Sequence, residues 1–173
     1  MDDGMTAMLE MVYESMDGQP VVEDYCARHG IGSMAILTTY TDEHAGLVAE
    51  HLAERVRGKV VVEIGGGIGL LAMHLSQYAK RVYVIEANPM WTRVYTMFLH
   101  FKKPKNVTFI FGAADEMDGQ LKADVAIFCT HSDAAGMRIA GELFAPEVID
   151  VYGEVVKDMD AGDAWNLLRG ATP

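Results

Sequence analysis

The chain has 173 residues, half of them hydrophobic, which is enough for one well-filled core and too few for two ordinary domains. A formal net charge of -11 and a pI near 4.8 argue against sequence-independent attraction to nucleic-acid backbones or anionic membranes, which needs a basic patch. Cys26 and Cys129 fall in different predicted elements and the six histidines are scattered, so neither a disulfide framework nor a metal-ligand spacing is present. A signal sequence and an apolar run of membrane-spanning length are also missing, so the expectation is a cytoplasmic protein with reduced core thiols.

Residues 1–57 carry 11 acidic and 3 basic side chains, against 14 and 11 in residues 58–173. The acidity therefore belongs mostly to the N-terminal segment, where a solvated face is the simplest account. Met5, Met8, Leu9, Val12 and Met16 recur at helical spacing until Asp17-Gly18-Gln19-Pro20 ends the pattern. A second short helix is expected over residues 21–29, closed by Gly30-Ile31-Gly32. The twelve methionines mark a soft, adaptable core. After Tyr40, Thr41 can cap a helix whose first turn holds Asp42 and Glu43, and whose stripe Ala45, Val48, Ala49, Leu52, Ala53 and Val56 runs to about Arg57. Gly58 stops it.

Val60-Val61-Val62-Glu63-Ile64 then reads as a buried strand, since β-branched residues favour an extended backbone and glycines follow at once. Gly65, Gly66, Gly67 and Gly69 permit positive φ and leave no Cβ in the way, so the chain can turn tightly and approach a ligand before a helix over residues 70–78. Gly67-Ile68-Gly69-Leu70-Leu71-Ala72 also fits a variant dinucleotide fingerprint. Its register argues otherwise: two glycines come too early, and Glu63 would repel a pyrophosphate while attracting an ammonium. Arg81 to Glu86 forms a second strand ending in a carboxylate 17 residues beyond Gly69, where such a group can accept both hydroxyls of a ribose.

Asn88 and Pro89 open an aromatic-faced helix that closes on Lys102, Lys103 and Lys105, a cluster suited to the helix dipole. The third strand is Val107 to Phe111, followed by Gly112-Ala113-Ala114-Asp115-Glu116. A fourth strand spans residues 124–129, with His131 just beyond it. A helix over residues 134–144 and a fifth strand over residues 148–152 complete the alternation.

Glu63, Gly65, Gly67 and Gly69 together resemble the acidic-x-Gly-x-Gly-x-Gly first motif of the class I S-adenosylmethionine-dependent methyltransferases, and the likeness covers roughly residues 40–153. It implies a doubly wound, mainly parallel α/β sheet in order 3-2-1-4-5, with helices on both faces. The whole chain is then one domain, residues 1–39 forming an N-terminal helical cap and residues 40–173 the cofactor-binding core. The N-terminal helices either cover the cofactor site, as in many of these enzymes, or serve only as packing. The resemblance assigns the glycine turn, including Gly66, to the amino-acid end of the cofactor. Glu86 matches the second motif, on the ribose side, and Ala87 next to it is counted with the cofactor-binding residues. Ala114 and Asp115 match the third, with a backbone amide and a carboxylate at the adenine. Asp115 is otherwise a helix cap. Tyr40 and Thr41 border the methionine end or are simply capping and packing residues.

His131 replaces the Asn/Asp-Pro-Pro-Tyr/Phe motif of amino-group methyltransferases. It is either a base toward a hydroxyl, thiol or carbon acid, or a loop histidine without a role. Only 20 residues follow Gly153, too few for the antiparallel hairpin that usually closes the sheet. The shortened edge is expected to pair in a homodimer or to be shielded by a helix around Trp165. The implied activity is methyl transfer from S-adenosylmethionine to a small-molecule nucleophile, or to a protein, without a metal and with S-adenosylhomocysteine as product. A cofactor-binding regulatory or partner subunit without turnover is the alternative, and NAD-dependent hydride transfer a third.

Overall fold

A computed structural model describes residues 42–67, 69–87, 104–117, 120–129 and 134–155. The expected N-terminal helices, the helix opened by Asn88, the Trp165 segment and three candidate site residues, Tyr40, Thr41 and His131, lie outside the described residues.

Helix α1 (Asp42–Val56) forms where the sequence places its apolar stripe. Ala45, Val48, Ala49, Leu52 and Val56 are fully buried, while Glu50, His51 and Glu54 stand in solvent. Gly58, at φ 70°, turns the chain out of the helix and donates its N–H to the Tyr78 carbonyl at 3.0 Å. Strand β1 (Val60–Ile64) follows, then α2 (Leu70–Leu75), β2 (Arg81–Glu86), β3 (Val107–Phe111), β4 (Val125–Phe128), α3 (Ala134–Glu142) and β5 (Glu147–Asp150).

The five strands form one parallel sheet in the order β3-β2-β1-β4-β5. Val61, Val62, Val82, Val84 and all four residues of β4 are buried, the pattern of strands covered on both faces. Alternation divides them cleanly. Val61, Val82, Val84, Val125 and Ile127 pack with α1 and α2. Val62, Ile64, Ile85, Ala126 and Phe128 pack with Phe144 and, from α3, Met137 and Ala140. Glu63 and Glu86 fall by the same alternation on the α1–α2 face. Burying each large apolar side chain contributes about 1.5–3 kcal/mol, so these two layers supply most of the drive to fold.

Four elements end earlier than the sequence predicts: β4 at Phe128 and α3 at Glu142 by one or two residues, α2 and β5 by two or three. Helix α2 stops at Leu75 because the chain tightens: the N–H groups of Gln77 and Tyr78 donate three residues back, to His74 and Leu75, and Ser76 Oγ donates to the Met73 carbonyl at 2.6 Å. Strand β5 ends at Asp150 instead of reaching Tyr152. Its last residue accepts the Gly153 N–H on Oδ1 at 2.9 Å, and Glu154 Oε1 accepts the Asp150 N–H at 3.3 Å, which winds residues 151–155 into a wide helical turn.

Candidate functional site

The glycine turn sits at the C-terminal tips of β1 and β2, outside the sheet. Gly65, Gly67 and Gly69 have φ of 67°, 56° and 75°, values that a side chain would strain. The turn is fastened to the neighbouring strand by Gly65 N–H donating to the Ile85 carbonyl at 2.8 Å, and to itself by Gly69 N–H on Gly66 O at 2.8 Å. Gly66 has a different need. A Cβ there would lie 2.4 Å from Val84 Cγ1 and 3.1 Å from Glu63 Oε2, so the backbone rests directly on those two side chains.

Glu63 is only 3% exposed. Its carboxyl accepts the backbone N–H of Ala72 in α2, yet Oε2 has no hydrogen-bond partner among the described residues. Burial pushes the carboxyl up to about 8, the Ala72 N–H opposes the rise, and the nearby Glu86 adds to it. At neutral pH this group therefore holds its proton unless a cation compensates it, which refines the picture of a fixed negative charge drawn from sequence.

Glu86, buried at the end of β2, acts as a joint. Its Oε2 accepts the Gly67 N–H at 2.8 Å, which holds the first turn, and its main-chain carbonyl accepts the Gly112 N–H at 2.9 Å, which holds the loop after β3. Each carboxylate oxygen has two lone pairs, so the bond to Gly67 orients Glu86 without exhausting its capacity to accept.

Ala87 is exposed just past Glu86. Ala114 opens a short turn, Ala114–Met117, and packs half-buried against the α3-side core, while Asp115 on the same turn is exposed. The structure thus brings Glu63, the four glycines and Glu86 into one constellation, with Ala87 and the Gly112 loop adjoining it. One contact had no sequence signal. Met137 of α3 reaches the turn from the opposite face, its Cε 3.2 Å from where a Gly65 Cβ would stand. Only the β1–β4 pairing, which seats α3 beside the first strand, could have pointed to it. Among the described residues no cluster of three His, Cys, Asp or Glu side chains is arranged to hold a metal ion.

Strand order and turn together define the class of fold: the doubly wound sheet of the class I methyltransferases. No family model matches the sequence, and no curated protein does. Among solved structures the chain is similar to an assigned RNA methyltransferase from Pyrococcus horikoshii, at 18% identity and a TM-score of 0.51 over 60% of this chain and 55% of that one. It is also similar to precorrin 8w decarboxylase from Methanobacterium thermoautotrophicum, at 24% identity and a TM-score of 0.49 over 60% of this chain and 56% of that one. A third is precorrin-6y C5,15-methyltransferase from Geobacter metallireducens, at 18% and 0.49 over 58% and 55%. The chain spans about half the length of these structures. At 18% identity the likeness to the Pyrococcus structure shows the fold alone.

Proposed function

We propose that the chain is an S-adenosylmethionine-dependent methyltransferase acting on a small-molecule nucleophile. The observation behind this is the buried Glu63 Oε2, without a described partner beneath a side-chain-free turn. An ammonium both donates to such an oxygen and offsets its charge, and the cofactor carries one at its amino-acid end. Glu86, already oriented by Gly67, lies one strand over for the ribose hydroxyls with Ala87 just beyond it, and Ala114 and Asp115 border the adenine side. Tyr40 and Thr41 are assigned to the methionine end. When bound, the cofactor supplies a methyl group on an electrophilic sulfonium. The protein's share is to hold that centre in line with the acceptor and to exclude water.

His131, which follows β4 in the sequence, is assigned as the base that takes a proton from the acceptor's hydroxyl, thiol or acidic carbon. A small acceptor is favoured over a polyanion by the charge of -11. No described helix is long and apolar enough to cross a membrane, which fits a cytoplasmic enzyme, and pairing of two copies along the β5 edge belongs to the same proposal. The test is to incubate purified protein with methyl-labelled cofactor and a panel of small hydroxyl, thiol and carbon-acid acceptors. Formation of S-adenosylhomocysteine above the His131→Ala background is expected. Tight cofactor binding with no turnover on any acceptor would mark a binding subunit, and preferential binding of NAD would overturn the cofactor itself.

A further inference from the structure

Glu63 is only 3% exposed, and the described groups around it are apolar, neutral or acidic. In register on either side stand Val84 of β2 and Ile127 of β4, both apolar. Glu86, at the end of β2, is a second carboxyl. Helix α2 presents the Ala72 N–H, and the ring of His74 is turned to Gly46 of α1, 3.5 Å from where a Cβ would lie. Helix α1 offers its apolar stripe, with Glu50, His51 and Glu54 on the solvent side. Nothing in this set of described groups compensates a negative charge on Oε2, and an uncompensated carboxylate in such a place is far less stable than its acid.

We propose that Glu63 keeps its proton while the site is empty of ligand and surrenders it when a cationic amino group seats against Oε2, so that capture of the cofactor is coupled to release of one proton. This rests on the cofactor reading given above. The exchange balances: a neutral carboxylic acid and an ammonium become a carboxylate–ammonium pair, and the proton passes to solvent. Glu86 sharpens the effect, because a second negative charge at the strand tips disfavours ionisation of Glu63 until the cation arrives.

Titration calorimetry of the wild-type protein at pH 7, in buffers of different ionisation enthalpy, tests this. The probes are S-adenosylhomocysteine and 5′-methylthioadenosine, which share the nucleoside but differ in that only the first has the amino-acid end. For a group with its midpoint near pH 8, about 0.9 proton should be released per S-adenosylhomocysteine bound at pH 7, and close to none with 5′-methylthioadenosine. The Kd of S-adenosylhomocysteine should accordingly tighten about tenfold from pH 6 to pH 7, and Glu63→Gln should abolish that slope. Binding of S-adenosylhomocysteine without proton release, or equal release with both probes, overturns the coupling and leaves the cofactor assignment standing. If neither compound binds, the cofactor assignment fails and takes the coupling with it.

Discussion

At the strand tips, Glu63 and Glu86 are buried and meet backbone N–H groups of Ala72 and Gly67. Along the β5 edge, Glu147 and Glu154 are about a third exposed and meet cations: Arg55 and Lys59 reach Glu147 at 2.9 and 3.1 Å, and Arg55 and Arg138 reach Glu154, each at 3.2 Å. Glu63 and the edge pair therefore respond to their surroundings in opposite directions. Burial pushes Glu63, Glu147 and Glu154 alike upward. At the edge, hydrogen bonds from Lys59 and Arg55 to Glu147, and from the Asp150 N–H, Arg138 and Arg55 to Glu154, outweigh it and bring both carboxyls below their usual value. At Glu63 nothing outweighs it. The edge cluster satisfies itself and fastens α1 to β5 and the turn after it, whereas Glu63 Oε2 has no partner among the described residues.

The largest expected consequence is in the pH dependence of stability. Between about pH 4.5 and 8 the folded protein holds a proton on Glu63 that the unfolded chain has released, so this residue's contribution is fully present below the unfolded value and is lost as pH rises through about 8. Urea melts should show a decline approaching 1.4 kcal/mol per pH unit from roughly pH 5 to 8 from this group, ~3–5 kcal/mol in total. Glu63→Gln should flatten it. A wild-type profile without that decline would erase the contrast between the two regions.

Next in size is Gly66→Ala. Its Cβ would press on Val84 Cγ1 at 2.4 Å, and Val84 is fully buried and β-branched, so the turn must shift at a cost of about 1–3 kcal/mol. Chemical denaturation would register the loss, and equilibrium dialysis with labelled cofactor should show weaker binding. Glu86→Ala comes third. It leaves the buried Gly67 N–H without its acceptor, worth ~1–3 kcal/mol, and should weaken nucleoside binding at least about tenfold if charge-assisted bonds to the sugar are lost. The smallest effect belongs to the edge. A double-mutant cycle on Arg55 and Glu147 should give a coupling of no more than about 1 kcal/mol, because both side chains are over a third exposed and solvent screens them. Added salt should reduce it further, and it should fade as pH falls through the Glu147 value, the reverse of the Glu63 trend.

Much of the fold was legible in the residues. The strands β1, β2 and β3 have the bounds their β-branched runs and flanking glycines predict, and α1 ends where Gly58 says it must. Local signals sufficed there because each rests on backbone sterics within a few residues. The ends of α2 and β5 were misplaced because side chains of Ser76, Asp150 and Glu154 compete for backbone groups, a contest that apolar periodicity does not register. Glu63, Glu86 and the glycines could be picked out as a constellation, since their spacing follows from the strand-turn-helix pattern.

What the sequence determined by itself was thus the set of elements and the presence of two carboxylates around a glycine turn, because strand propensity, helix stripes and positive-φ glycines act locally. Only the tertiary structure decided how those carboxylates behave. Their burial depends on α1, α2 and the neighbouring strands closing over them, the Oε2 of Glu63 has no partner among the described residues, which come from far apart in the chain, and Met137 arrives from an element some 70 positions away. Desolvation is a property of the whole packed assembly, and no short stretch of residues encodes it.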